Sequence, residues 1–340
     1  MGLNYEEVVR LMEEHGQPPY RARQVMDWLY RRGVADLAAM PALPQNLRQA
    51  LKDEGYEVGL PREKARREGA DGTKKFLFAM VDGETIESVY IPEGPRRTVC
   101  VSTQVGCGMG CAFCATGQGG LVRNLTAGEI VGQVLAVRRA VGLRITNVVA
   151  MGQGEPLANY EATVKAFRLM GVEHGMGIAA RHLTISTCGL PPGILRLAAD
   201  GRQWQLTVSL HAVRDELRDR LMPINRRYPL AALREACLEY FLRVGRRITF
   251  AYVVIPGVND GERDAAGLVD FCRGMKVHLN LIPWNPVPGV AFRAPSAAEI
   301  ERFRHRLAAT GLNVTVRRPR GVEFLAACGQ LRAEELEGRR

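Results

Sequence analysis

The sequence predicts an α/β fold, a parallel sheet curled into a partial (β/α)6 barrel, with a small N-terminal helical accessory domain. Two observations carry this. From Thr98 onward, six apolar strand-like runs each give way to a helical pattern, and a seventh strand ends the series. Before residue 60 there are instead three amphipathic segments, each closed by a glycine. A flat doubly wound sheet satisfies the same alternation and stands as the structural alternative.

The N-terminal segments are "NYEEVVRLMEEHG", "YRARQVMDWLYRRG" and "LPQNLRQALKDEG", ending on Gly16, Gly33 and Gly55. The polar, basic run "PREKARREGADGTKK" over 61–75 predicts a linker or exposed turn. "KFLFAMVDGETIESVYIPEG" predicts a hairpin about Asp82-Gly83. Barrel strands are predicted at "TVCVSTQ", "RITNVVAM", "RHLTIST", "WQLTVSL", "RITFAYVVI", "VHLNLIP" and "LNVTVR". Helices start near Thr126, Asn159, Pro191, Pro229, Gly261 and Ser296, the first with a capping box of Thr126 and Glu129. The chain thus divides into a helical domain (1–60), a basic linker with hairpin (61–97), a barrel (98–317) and a tail (318–340).

The composition is that of a globular enzyme, with 46% hydrophobic and 24% charged residues in 340. No long uncharged apolar run is present, so no membrane span is expected. The start "MGLNYEEVVRLMEEHG" is acidic and amphipathic, unlike a signal peptide, and "MGLNYE" lacks the hydroxyl residue of a myristoylation signal. The expected location is the cytoplasm, where eight cysteines point to metal binding, catalysis or burial rather than disulfides. The formal net charge of +10 favours a polyanionic partner. Residues 1–75 hold 13 Lys/Arg against 12 Asp/Glu, so the excess lies beyond Lys75.

The loop after the first barrel strand, "QVGCGMGCAFCATG", places Cys107, Cys111 and Cys114 within eight positions. A closed zinc site asks for four ligands. A cubane iron–sulfur cluster held by three thiolates leaves one iron open, which suggests chemistry rather than scaffolding. Other polar residues fall at later strand exits: Gly154 and Glu155 in "MGQGEP", Ser186 in "ISTCG", Ser209, Leu210 and His211 in "TVSLHA", and Asn285 in "IPWNP". In barrels, reactive groups collect at these exits. Singly, Ser186 and Ser209 also read as caps and Asn285 as a turn former; together they describe one mouth, with His211 as a pocket wall.

The run Cys107-x3-Cys111-x2-Cys114, with Phe113 before the last cysteine, resembles the signature of the radical S-adenosylmethionine (SAM) superfamily. A finer resemblance is to the RlmN/Cfr family of RNA adenine methyltransferases, nearer its C2-methylating RlmN branch. It rests on "CVSTQVGCGMGCAFCATGQGGLVRNLTAGEIVGQV", "MGQGEPLANY", "LTISTCG", "TVSLHA", "NLIPWNP", "AACGQL", "YRARQVMDWLYRRGV" and "LPQNLRQAL", and so spans nearly the whole chain.

That resemblance implies one [4Fe–4S] cluster on Cys107, Cys111 and Cys114, with SAM on the open iron. SAM would meet Gly154, Glu155, Ser186, Ser209, Leu210, His211 and Asn285. Two SAM molecules are used per turnover. One methylates a cysteine; the other is cleaved to a 5′-deoxyadenosyl radical, which takes a hydrogen from that S-methyl group. The carbon radical adds to C2 of an adenosine in 23S ribosomal RNA (the peptidyl-transferase-centre adenosine), with transfer RNA as a further substrate. Such a route fits the chemistry, since C2 of adenine is too electron-poor for direct displacement.

On the same resemblance, Cys328 in "AACGQL" is the methyl acceptor. Cys100 in "TVCVSTQ" is the thiol that breaks the protein–RNA crosslink, leaving a disulfide with Cys328. Glu87 in "TIESVYIP" matches a proton acceptor, a role open also to Cys100. Cys188, Cys237 and Cys272 match no catalytic position and read as structural. The tail "RGVEFLAACGQL" departs from the family pattern: Glu323 keeps a carboxylate, but Phe324 and Leu325 are more apolar, which bears on substrate choice.

The implied partners are 23S rRNA, transfer RNA and an electron donor such as flavodoxin or ferredoxin, with no membrane and a monomeric protein. Base chemistry of this kind requires a flipped nucleotide. Arg21, Arg23, Arg31 and Arg32 beside Trp28 and Tyr30 offer phosphate and stacking contacts, or simply a solvated basic face; Arg317 to Arg320 lie near the mouth. Two other functions are compatible: C8 methylation of the same adenosine, as in the Cfr branch, and a non-catalytic RNA-binding iron–sulfur or zinc protein.

Overall fold

Capping side chains and terminal glycines set the element boundaries in the computed structural model, which describes residues 1–171 and 175–317. Helix α1 (Tyr5–Glu14) starts at a capping box of Asn4 and Glu7. Helix α2 (Tyr20–Met26) runs into a π-helical turn, Asp27–Arg32, ended by Gly33 at φ 70°. Helix α3 (Gln45–Asp53) follows. Val8, Met12, Met26, Tyr30, Leu47 and Leu51 join the main core.

The basic stretch does not form a linker. Arg62–Glu68 is strand β1, paired antiparallel with β2 (Lys74–Ala79), which pairs with β3 (Thr85–Glu93). All seven β1 residues are exposed, so no apolar alternation announces the strand; it exists through its ladder with β2. Lysine and arginine on such an edge discourage pairing with other chains. Strand β4 (Arg96–Cys100) pairs antiparallel with β3 and parallel with the later strand Asn147–Ala150, and so joins the hairpin region to the barrel.

After β4 come β5 (Gln104–Gly106), α4 (Ala115–Gln118) and β6 (Leu121–Asn124); β5 and β6 form a separate two-stranded sheet. The repeating units follow: α5 (Ala127–Val141), β7 (Asn147–Ala150), α6 (Tyr160–Gly171), β8 (Leu183–Thr187), α7 (Pro191–Asp200) and β9 (Gln205–Ser209). An unforeseen helix α8 (Asp215–Leu221) precedes α9 (Leu230–Val244). The described residues close with β10 (Ile248–Val254), α10 (Glu262–Cys272), β11 (Val277–Pro283), α11 (Ala297–Ala308) and β12 (Val314–Val316).

The main sheet has ten strands in the order β1-β2-β3-β4-β7-β8-β9-β10-β11-β12. Its seven parallel strands lie in sequence order and the order does not close into a ring, which makes the barrel partial. It is nevertheless curled. Arg317 Nη1, just past β12, lies 3.9 Å from Met151 Sδ just past β7, although four strands separate β7 from β12. A flat sheet cannot bring those tips together.

Alternation along the strands sorts the two faces. Val99, Val148, Ile185, Leu206, Val208, Phe250, Tyr252, Leu279 and Leu281 enter the core shared with the helices. The intervening positions Ser186, Thr207, Ser209, Thr249 and Asn280 instead line a cavity inside the curl.

Candidate active site

The exits of β4 and β7 are pinned by buried polar groups before any ligand is considered. Gln133 of α5 accepts from Ser102 N at 2.8 Å and from Ser88 Oγ at 2.7 Å, and donates to Ser102 O at 2.9 Å. Ser102 Oγ donates to Glu87 O and accepts from Gln153 N. Asn159 Nδ2 donates to Thr103 O and Leu125 O. These bonds fix the β4 and β7 exits to each other, so the cysteine loop leaves a rigid base.

The loop from Cys107 to Cys114 is then held on three sides. Cys107 N donates to Gly120 O at 2.8 Å, Ala112 N to Leu221 O at 3.0 Å, and Trp284 Nε1 to Phe113 O at 3.2 Å. It folds tightly on α4: a Cβ on Gly117 would sit 2.9 Å from Cys111 N, so only glycine fits without displacing the loop. All three thiols line the central cavity. Burial pushes Cys107 up to about 11 and Cys111 well above its ordinary value. A bound metal's positive charge is what such thiols need to persist as thiolates.

Among the described residues, no three His, Cys, Asp or Glu groups converge tightly enough to ligate a single ion. Cys107, Cys111 and Cys114 nevertheless line one cavity, and three thiolates are the donor set an iron–sulfur cluster takes. The residues present therefore fit the cluster implied by the motif.

Nine of the candidates named from sequence come together on this cavity: Cys107, Cys111, Cys114, Gly154, Glu155, Ser186, Ser209, His211 and Asn285. Gly154 has φ 101°, and a Cβ there would lie 2.6 Å from Gln104 Cβ, so the backbone can run there only as glycine. Glu155 accepts from Leu157 N at 2.9 Å through Oε1 and from Cys188 N at 2.7 Å through Oε2. Burial raises its pKa. The Cys188 and Thr187 side chains also bond this carboxylate, so its acceptor sites are largely used in holding the cavity wall.

His211 lines the cavity. Its Nδ1 accepts from Val253 N at 2.9 Å, which places the ring proton on Nε2, and Phe113 stacks edge-on at 4.8 Å. Burial lowers its pKa to about 3, so the ring is neutral and no proton carrier at physiological pH. It is also the one non-glycine residue with positive φ (57°) among those described. That strain is held by Asn259, which donates from Nδ2 to His211 O and Val253 O.

Leu210, Glu87 and Cys100 do not line the cavity. Leu210 points into the helix-side core, because alternation turns it away from Ser209 and His211. Glu87 makes a buried ion pair with Lys75 at 3.0 Å. Cys100 pairs with Val89 and Val149 and packs with Met151. Registers place Glu87, Val89 and Cys100 on the same sheet face as Ser186, beside the mouth. Cys328, Arg318, Arg320 and the Glu323–Leu325 tail lie outside the described residues. Cys188 lines the cavity, although its position matched no role; Cys237 and Cys272 are buried in the main core.

Sequence reading passed over Thr207, Thr249 and Asn280, which also line the cavity. The signal was present as hydroxyl and amide residues at alternate positions of otherwise apolar strands. In the N-terminal domain Tyr30 is fully buried, its hydroxyl donating to Leu3 O, so it offers no stacking face. The π-helical turn points it inward. Arg32 lies 4.1 Å over the Trp28 ring and bonds Asp27, with Arg23 and Arg31 exposed nearby.

Comparison with known proteins agrees with this geometry. Residues 101–269 match the profile of the Radical SAM superfamily, and residues 1–56 that of the Ribosomal RNA large subunit methyltransferase N-terminal domain. The Dual-specificity RNA methyltransferase RlmN of Rhodospirillum rubrum is 46% identical over 349 aligned residues, covering 100% of this chain and 81% of that protein. The protein of the same name from Anaeromyxobacter dehalogenans is 47% identical, covering 98% of this chain and 91% of its own. The crystal structure of a radical SAM methyltransferase from Sphaerobacter thermophilus superposes with a TM-score of 0.93 at 48% identity, covering 98% of both chains. With such likeness over its whole length, the chain belongs to the RlmN family of radical SAM RNA methyltransferases.

Proposed function

We propose that this enzyme methylates C2 of the peptidyl-transferase-centre adenosine of 23S rRNA, and of an adenosine in transfer RNA. The observation that carries this reading is three cysteines lining one cavity with polar residues of the strand exits, within a chain of the RlmN family. Cys107, Cys111 and Cys114 would hold a [4Fe–4S] cluster. Gly154, Glu155, Ser186, Ser209, His211 and Asn285 would seat SAM, with Leu210 holding Ser209 and His211 in place from behind. When bound, the cluster would supply one electron and SAM the sulfonium that accepts it, the chemistry that makes a radical able to remove a hydrogen atom.

The chain's own residues do the rest. Cys328 takes a methyl group by displacement from a first SAM and presents its methyl carbon to the base. Cys100 attacks Cys328 sulfur; the sulfur–carbon bond to the base breaks, its electron pair stays with the product carbon, which takes up a proton to become the methyl group, and a disulfide remains. Glu87, held beside Lys75, accepts the ring proton. His211, neutral, excludes water and orients ligand through Nε2–H. Exposed Arg23, Arg31 and Arg32 beside Trp28 contact RNA phosphates. The enzyme acts as a cytoplasmic monomer and receives electrons from a flavodoxin or ferredoxin type of donor.

The test is nucleoside mass spectrometry after an anaerobic reaction with SAM, a reductant and protein-free 23S rRNA. 2-Methyladenosine is the expected product. 8-Methyladenosine would move the enzyme to the Cfr branch, and RNA binding with no SAM cleavage would mark a non-catalytic protein.

A further inference from the structure

Arg218 of α8 is fully buried, yet no carboxylate pairs with it among the described residues. Its guanidinium is satisfied by neutral acceptors only. Nε donates to Leu210 O at 3.1 Å, Nη1 to Asn225 Oδ1 at 2.9 Å, and Nη2 to Cys188 O at 2.6 Å and Ser209 O at 3.3 Å. Two of these acceptors, Cys188 and Ser209, belong to the cavity wall, so the cation sits directly behind it. Gly189 packs closely here: a Cβ on it would lie 2.9 Å from Leu233 Cδ1 and 3.2 Å from Arg218 Nη2. One turn further along α8, Leu221 O accepts from Ala112 N, and Cys111 packs with Leu217 and Leu221.

Nearby acids are kept at one remove. Asn225 Nδ2 donates to Asp215 Oδ1 and Asp219 Oδ1, so a neutral amide stands between them and the guanidinium. A buried charge left without a counter-ion is costly. It is tolerable when an anion is meant to occupy the adjacent space. Three thiolates around iron are that anion, and adding an electron deepens the negative charge by one.

We infer that Arg218 is the counter-charge of the iron–sulfur centre, a positioning residue that makes the cluster easier to reduce while tying the β8 and β9 exits together. The inference rests on the proposed cluster at Cys107, Cys111 and Cys114. A cation behind the wall stabilises the reduced state more than the oxidised one, because Coulomb energy grows with the anion's charge.

The experiment is a redox titration, followed by electron paramagnetic resonance, of anaerobically reconstituted holoenzyme without SAM. Wild type, Arg218→Gln and Arg218→Lys are compared, with iron and sulfide assayed in each. At the wild-type midpoint, Arg218→Gln should show a tenfold lower ratio of reduced to oxidised cluster, a shift of about 59 mV to more negative potential. Arg218→Lys, which keeps the charge but not the fork of hydrogen bonds, should stay close to wild type. An unchanged midpoint in Arg218→Gln overturns the inference. If that variant does not fold, a tenfold loss in Arg218→Lys overturns it, and retention supports it. Failure of wild type to take up iron and sulfide overturns the cluster reading itself, and this inference with it.

Discussion

The amide nitrogen of Cys188 donates to Glu155 Oε2 at 2.7 Å, so one carboxylate ties the exits of β7 and β8 together at the cavity. Its other oxygen holds Leu157 N. Glu155→Gln puts an NH2 against one of these two donors and leaves a buried N–H unpaired. We expect a loss of about 1–3 kcal/mol of stability, together with weakened SAM binding. Unchanged urea midpoints would show that the carboxylate does not organise the wall.

Gly154 and Gly142 both have positive φ, but their surroundings differ. A Cβ on Gly154 would lie 2.6 Å from Gln104 Cβ, whereas nothing lies within 4 Å of one on Gly142. Gly142→Ala should cost only the backbone strain, about 1 kcal/mol. Gly154→Ala should cost clearly more and deform the cavity. Equal thermal shifts in the two variants would refute the steric argument.

Replacing Cys107, Cys111 or Cys114 singly with alanine should abolish cluster incorporation while leaving the circular dichroism spectrum unchanged. Cys237→Ala, in the main core, should retain full iron content and lose about 1–2 kcal/mol for the small cavity made. Iron and sulfide assays after reconstitution decide this. Full iron in Cys111→Ala would exclude the assigned ligand set.

His211 gives the apoprotein a pH dependence of definite sign. Its folded value is about 3 against 6.5 when unfolded, so between these pH values the unfolded chain binds more protons. Stability therefore falls as the pH drops below about 6.5, by roughly 2 kcal/mol at pH 5 from this group alone. His211→Asn, which tolerates positive φ and offers an acceptor to Val253 N, should flatten that slope. Parallel curves of urea midpoint against pH for the two proteins would contradict it.

Cys100 packs with Val89 and Met151 beside the mouth. Under the proposed mechanism, Cys100→Ala still forms the protein–RNA bond but cannot break it, and a slow-migrating adduct should accumulate on a denaturing gel. Cys328→Ala should load its cluster yet methylate no RNA. Free product from Cys100→Ala without adduct would remove the resolving role, and turnover by Cys328→Ala would remove the S-methyl step.

Much of the fold was legible because local chemistry announces it. Thr126 with Glu129 and Ser296 with Glu299 form the capping boxes that start α5 and α11, and Gly33 and Gly142 end helices in the left-handed conformation. Strand β1 was not legible, since its seven exposed residues carry no alternation and its ladder with β2 depends on a partner elsewhere in the chain. Helix α8 was missed because it is short and charged, with Leu217 and Leu221 its only large apolar buried side chains.

The sequence by itself determined which residues can do the chemistry: three cysteines at cluster spacing, polar groups at successive strand exits, and a glycine where the backbone must turn. Only the tertiary structure decided which of them share a cavity. It turned Leu210 outward and His211 inward by strand alternation, buried Tyr30, and set Cys100 on the same face as Glu87 through the β3–β4 register. It also placed the unpaired charge of Arg218 behind the wall formed by Cys188 and Ser209. Residue type and spacing are local properties, whereas burial, pairing and electrostatic neighbours arise from contacts between elements far apart in the chain.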